Sequence, residues 1–451
     1  MSSREPVIAI LDVGKTNKKV LLFNRHYKVV YEQSVALPEI TDEDGFPAED
    51  IALLSEWVRD NAAAVISNSS FEVKAFHFSA YGASLVYLDD RFRVLPPLYN
   101  YLKPYPGQLE EAFYDRYGGA DRLCRETASP RLGSLNAGLQ LYRIKHAQPE
   151  KYASIRYALH LPQYLSFLLT GNCCSDLTSV GCHTQLWDFT RNTYHRWVTE
   201  EGLDKKLAPL CSRDFIAGHT AEGIPVGVGL HDSSSALIPY LRTIKEPFLL
   251  LSTGTWCISL NPFNDQPLTD QELAQDCLCY LTHQGRQVKA SRIFGGYWHQ
   301  EQVARIAAHF MVQEDFYLNI QPDKGLLDKF YSAYRHELNE NRIPFSGSPL
   351  SDHADHLSAY HAFMIGLVRS QVRSADLVLK GTPVKSIFVD GGFSRNPLYL
   401  YLLASAYPQY TVHAAELAQA SALGAALVVH DHWNSTHSPA FLGAFRKIDA
   451  L

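Results

Sequence analysis

The chain has eight cysteines in 451 residues and no C-x-x-C pair. The spacing needed for a zinc ribbon or a thioredoxin-type redox site is therefore missing, and the cysteines read as reduced, mostly buried thiols. Long apolar runs are missing too, since none reaches the roughly 18 residues that span a bilayer. The opening Met-Ser-Ser-Arg-Glu-Pro lacks the roughly 7–15 apolar residues of a secretory leader. These absences predict a cytoplasmic protein with no membrane partner. There is no dense Lys/Arg tract, and 41 Lys+Arg against 47 Asp+Glu leave a formal charge of −6. Nucleic acid is not an expected partner, because backbone binding rests on clustered cations that release counterions. His353 and His356 are followed by His361 off their helical face, so this segment reads as a solvated helix start and not as a metal cluster.

What is present is a 46% hydrophobic, 20% charged composition typical of two or three globular domains. Val7-Ile-Ala-Ile-Leu-Asp12 predicts a strand ending in a carboxylate. Gly14-Lys15-Thr16-Asn17 predicts a turn, and Val20–Phe23 a returning strand. Val29–Tyr31 continues the meander, Ile51, Leu54, Val58, Ala62 and Val65 recur at helical spacing, and Lys74–Ser79 supplies another strand. This β-β-β-α-β order predicts a mixed sheet covered by helices. About 240 residues later Phe248–Ser252, Thr253-Gly254-Thr255 and Trp256–Leu260 repeat the opening. A long amphipathic helix from Tyr360 to Ala375 follows, then Ser386–Asp390 running into Gly391-Gly392. The repeat predicts a duplicated architecture of two α/β lobes across a cleft, 1–243 and 244–451.

Gly14-Lys15-Thr16 is not a Walker A loop, because Ala9 stands where that loop needs its first glycine. A tight hairpin whose backbone N–H groups face anionic oxygens is the alternative, and two such hairpins could clamp a phosphate chain from opposite sides. Asp12 would repel bare phosphate and suits a hydrated Mg²⁺; its plainer role is to cap the turn. Asp232 follows a short strand and precedes a helix of small residues. It can cap that helix with Ser233, or act as the base that takes a proton from an attacking hydroxyl. Asn396, before Pro397, reads as a helix cap, as a nucleotide contact, or as both. The small-residue helix Ala418–Ala426 reads as a close packing surface.

These segments, in this order, resemble the FGGY family of carbohydrate kinases within the actin, hexokinase and Hsp70 ATPase superfamily. The resemblance rests on Asp12-Val-Gly14, Leu168-Leu-Thr170-Gly171 with Asp176, Gly229-x-His231-Asp232, Ser252-Thr-Gly254-Thr255, Asp390-Gly391-Gly392 and Ala422-Leu-Gly424. It implies two actin-like (ribonuclease H-like) lobes with the active site between them, and ATP with Mg²⁺. It implies Asp232 as general base and Asp12 at the metal. Gly14, Lys15, Thr16, Asn17, Lys19, Gly254 and Thr255 fall on the phosphates, and Gly391, Gly392 and Asn396 beside the adenosine. Lys15 and Lys19 depart from the usual residues, leaving open which of Lys15, Lys18 and Lys19 meets phosphate. Tyr99-Asn100-Tyr101-Leu102-Lys103 replaces the Trp-x-Asp-x-Arg segment common in sugar recognition. His231-Asp232 and Gly254-Thr255-Trp256 look like the rhamnulokinase and fuculokinase branch. That branch implies sugar contacts from Gly82, His231, Asp232 and Ser233, with Tyr81, Tyr87 or Trp298 as candidates for an apolar face. The expected substrate is a 6-deoxy-ketohexose phosphorylated on C1. Another ketose or polyol, or a catalytically silent sugar-responsive regulator, stands as the alternative, and a homodimer is admitted.

Overall fold

The computed structural model describes residues 4–333 apart from 213, 349–436 apart from 418, then 441 and 444–449. In the first sheet, β1 (Glu5–Val13), β2 (Lys18–Asn24) and β3 (Val29–Val35) form an antiparallel meander. Helix α1 (Ile51–Ser67) then returns the chain to β4 (Phe71–Ala80), parallel to β1. Asp50 starts α1 by accepting from the N–H groups of Ala52 and Leu53, and Ile51, Leu54, Val58, Ala62 and Val65 form its buried stripe. The far edge is completed by β5 (Ile216–His219), β6 (Pro225–Gly227) and β7 (Leu230–His231), with β6 and β7 both parallel to β4. Helix α2 (Asp232–Thr243) leads out of this sheet.

The second sheet repeats the plan. β8 (Phe248–Thr253) pairs antiparallel with β9 (Cys257–Asn261), and β10 (Cys277–Leu281) and β11 (Gln287–Ile293) extend that side. After α3 (Gly295–Phe310) and α4 (His356–Leu379), β12 (Ser386–Gly391) lies parallel to β8. Helix α5 (Pro397–Ala406) and β13 (Thr411–Ala415) follow, then α6 (Ala420–Val428) and the edge strand β14 (Phe445–Ile448). Among the described residues each sheet has seven strands, and the orders β3-β2-β1-β4 and β9-β8-β12 place β1 and β8 in equivalent central positions.

Both faces of β1 are covered, which is why its sequence reads as a continuous apolar run. Val7, Ala9 and Leu11 pack with α1, whereas Ile8 and Ile10 face the opposite way and meet Ala422, Leu423, Ala425 and Ala426 of α6. Leu237 and Tyr240 of α2 reach across to Phe248 and Leu250 of the second sheet. Packing therefore interlocks the two halves: a helix late in the chain covers the first sheet, and a helix from the first half covers the second. The histidine segment differs from the sequence reading. His353 is buried, and His361 lies inside α4, accepting from the Asp323 N–H at 3.1 Å, because α4 is covered along most of its length. Among the described residues no group of three or more His, Cys, Asp or Glu is placed to hold a metal, and all eight cysteines are free.

The contact between α2 and α6 leaves no room for a side chain. A Cβ on Gly424 would stand 1.8 Å from the Ser235 carbonyl oxygen, backbone that no rotamer change can move. Gly424→Ala should therefore destabilise the protein by about 1–3 kcal/mol, read as a lower melting temperature and denaturant midpoint. A variant melting with the wild type would show that the helix seam is looser than described.

Candidate active site

The two central strands end at matching hairpins. Gly14 N–H donates to the Asn17 carbonyl at 2.9 Å, and Gly254 N–H donates to the Trp256 carbonyl at 2.9 Å. Thr16 and Asn17 are exposed at the tip of the first hairpin, with Gly14 half-buried behind them. Asp12, at the end of β1, is half-buried and its Oδ2 accepts from Ser421 Oγ at 3.0 Å. Burial, then the charge of Asp232, pushes the Asp12 carboxyl up to about 6 against the pull of Ser421, Ser79 and Lys19. The two carboxylates are thus close enough for their charges to interact.

Asp232 begins α2 directly after β7. Its Oδ1 accepts from the Ser233 N–H at 2.6 Å and from Ser233 Oγ at 3.2 Å, but it is the first helical residue and His231 stands at the cap position; the Asp232 side chain keeps 37% exposure. His231 Nε2 lies 3.2 Å from Asp232 Oδ1 and 3.1 Å from Cys182 Sγ, and its ring stacks on Tyr280 at 5.5 Å. Burial lowers the His231 pKa, which favours the neutral ring. Gly82 lies against this group, where a Cβ would come within 2.7 Å of Cys182 Sγ and 2.9 Å of the His231 ring. Gly82, His231, Asp232 and Ser233 are therefore brought together.

The three lysines separate. Lys18 is buried and ion-paired with Glu49, and removing one partner of such a pair costs about 3–5 kcal/mol, so it is not free for phosphate. Lys15 is bound by Glu39 and Glu49 of a small hairpin, Glu39–Thr41 with Pro47–Glu49. Lys19 donates to Gln419 Oε1 at 2.9 Å, and its charge reaches Asp12. Lys103, from the segment that replaces Trp-x-Asp-x-Arg, is buried on Asp42 and Asp44 and serves that same hairpin region.

A cavity of about 500 Å³ is lined by Asp232, Ser252, Asp390, Gly391, Gln419 and Ser421, among others. A second, of about 280 Å³, shares Gly392 with it and adds Gly254, Thr255, His299, Tyr317 and Asn396. Gly391, in the wall of the larger cavity, lies against β8: at φ +80° a Cβ there would fall 2.0 Å from the Thr253 carbonyl oxygen. Asn396 both caps α5, through the Tyr399 N–H at 2.9 Å, and lines the smaller cavity. Gly254 and Thr255 lie in that smaller cavity and not in the one that reaches Asp232.

Residues 7–238 match the N-terminal domain of the FGGY family of carbohydrate kinases, and residues 249–429 match its C-terminal domain. The chain belongs to the FGGY family. Among curated relatives, the rhamnulokinase of Yersinia pestis bv. Antiqua (strain Angola) is 25% identical over 58% of this chain and 55% of its own length. The L-fuculokinase of Escherichia coli (strain K12) is 22% identical over 56% of each chain. The match thus spans just over half the length of these relatives. A carbohydrate kinase from Novosphingobium aromaticivorans shares the fold at 23% identity and a TM-score of 0.77, covering 100% of this chain and 95% of its own.

Several residues of the FGGY cleft escape a reading by motif. Glu49 and Tyr101 come from the first-lobe insertions, and Tyr101 feels the charges of both Asp232 and Glu49. Gln419 and Ser421 open the small-residue helix, which does pack closely but also presents its first turn to Lys19 and Asp12. A Gln and a Ser ahead of an alanine-rich helix were the available signal, and it is a weak one.

The raised Asp12 carboxyl has a pH consequence. Its proton is held more tightly in the folded than in the unfolded chain, so the stability it contributes is full below about pH 3.8 and is lost as pH rises through about 6. Asp12→Asn should raise the melting temperature of the ligand-free protein by roughly 2–4 °C at pH 8, with the gain shrinking towards pH 4. Melting curves across that range, showing a constant or opposite difference, would refute the raised Asp12 carboxyl.

Proposed function

We propose that this chain transfers the γ-phosphoryl group of ATP to a sugar hydroxyl, acting in the cytoplasm as a monomer or homodimer. One observation carries the reading: Asp12 and Asp232 stand at the ends of parallel strands on either side of β4, close enough for their charges to interact, and Asp232 lines a cavity with the glycine turn of the other lobe and with Ser421, which bonds Asp12. In this reading Asp232 accepts the proton of the attacking hydroxyl. Ser233 and His231 hold its Oδ1, leaving Oδ2 for the substrate. Gly82 permits the close approach of a sugar to His231. The N–H groups of Lys15, Thr16 and Asn17 in the hairpin turned by Gly14, and the amine of Lys19, bind phosphate oxygens, while Gly391, Gly392 and Asn396 flank the nucleoside.

The residues present fit a hydrated divalent cation. Asp12 is an oxygen ligand whose ionised form is disfavoured by burial and by Asp232, and a cation would relieve both. With no third carboxylate or histidine there among the described residues, the other ligands would be water and phosphate oxygens. When bound, Mg²⁺ would neutralise charge on the phosphates.

The substrate we propose is a 6-deoxy-ketohexose such as L-rhamnulose or L-fuculose, taken on C1. His231 before the base, Trp256 after the second hairpin, and the relatives that phosphorylate such sugars by name support it.

Asp232→Asn should fold and bind nucleotide but lose kcat by on the order of 10²–10⁴ fold, followed as ADP release. Near-normal turnover would remove Asp232 from the role of base. Across L-rhamnulose-type and L-fuculose-type ketoses, D-xylulose, ribulose and glycerol at fixed MgATP, kcat/KM should favour the 6-deoxy sugars. A clear preference for a pentulose or glycerol would overturn the substrate and leave the kinase reading intact.

A further inference from the structure

The rings that the sequence offered for a sugar's apolar face are largely committed elsewhere. Tyr87 is fully buried, Trp298 packs against the core beneath α3, and Tyr81 Oη donates to Glu49 at 3.2 Å. Trp256 is different. It is 41% exposed, and among the described residues no other tryptophan is exposed. Leaving an indole in water is unfavourable, yet this one is held rigidly in place. Phe294 lies 4.5 Å from it and stacks in turn on Tyr297 at 4.5 Å and 17°. The Arg292 guanidinium sits 5.0 Å from the indole, a cation–π distance. Two bonds from Arg292 to Asp276, Nε to Oδ2 at 2.9 Å and Nη2 to Oδ1 at 2.7 Å, fix the guanidinium. Tyr297 N–H donates to the Thr255 carbonyl at 3.2 Å, tying α3 to the same hairpin.

Arg292 links the platform to the surroundings of the base. The charge of Arg292 is felt by Cys182, His183 and Tyr280, and these residues surround His231: Cys182 Sγ at 3.1 Å, Tyr280 at 5.5 Å and His183 at 6.4 Å between rings. His231 in turn touches Asp232. Trp256 is thus one arginine away from the shell of the base, and it belongs to the opposite lobe.

We propose that Trp256 is a specificity-determining residue, the surface on which the carbon chain of the sugar stacks beyond the hydroxyl held by Asp232. This rests on the sugar-kinase reading and deepens it. An aromatic face accepts C–H groups and a terminal methyl but offers no acceptor for a terminal hydroxyl, so it favours a deoxygenated end. Arg292 is a positioning residue that holds the ring, itself held by Asp276.

The test compares wild type, Trp256→Phe and Trp256→Ala on a 6-deoxy-ketohexose and its 6-hydroxy counterpart at saturating MgATP. Trp256→Ala should raise KM for the deoxy sugar by roughly 10–100 fold, leave kcat within about 3-fold, and bring the two sugars within a few fold of each other. Trp256→Phe should keep most of the preference. In the absence of ATP, the deoxy sugar should change the tryptophan fluorescence of wild type, and Trp256→Phe should abolish that change. Unaltered discrimination in Trp256→Ala, or a rise in KM for MgATP with none for sugar, overturns the proposal. Failure of the wild type to phosphorylate any sugar overturns instead the kinase reading on which it rests. Circular dichroism and melting curves of each variant establish that the comparison is between folded proteins.

Discussion

The seam between α2 and α6 is the constraint on which the site depends. Gly424 lies on the Ser235 carbonyl, and Ser235 Oγ donates to the Ser421 carbonyl at 2.7 Å. Each helix covers the sheet of the other half, so neither half has a complete core without its partner. The same short stretch carries candidate site residues at its ends. α2 begins with Asp232, and the first turn of α6 supplies Ser421 to Asp12 and follows Gln419, which holds Lys19. A small-residue interface lets the two helix starts stand close enough for the charges of the two carboxylates to interact.

That proximity has an electrostatic cost which the fold does not relieve internally. Lys15 and Lys18 are near, but Glu39 and Glu49 occupy them. Lys19 acts on Asp12 only weakly, ranking behind two hydrogen bonds. The opening between the lobes is therefore short of positive charge near Asp12 and Asp232, while the hairpin tips offer hydrogen-bond donors. A polyanion accompanied by a divalent cation matches this distribution better than either alone.

The two lobes also differ in how they are finished. The first carries insertions, among them the hairpin with Glu49 and the Tyr99–Lys103 segment, whose charges are paired internally: Lys103 with Asp42 and Asp44, Lys18 with Glu49. The second lobe contributes the rigid aromatic group at Trp256. In the arrangement we propose, recognition of a sugar draws on both lobes, so it is sensitive to the angle between them.

The strand-ending carboxylates Asp12 and Asp390, the glycine turns and the repeated β-β opening were legible in the sequence. They depend on local rules: apolar runs make central strands, glycines make tight approaches, and Asn396 caps its helix through a side chain that needs only its own neighbours. What the sequence could not determine was pairing across long separations. Lys15 to Glu39 and Glu49, Lys19 to Gln419 and Ser421 to Asp12 connect residues up to 409 positions apart. The burial of His353 and the exposure of Trp256 were likewise settled by packing, since a residue type sets what a side chain can do while its neighbours in space set what remains for it to do.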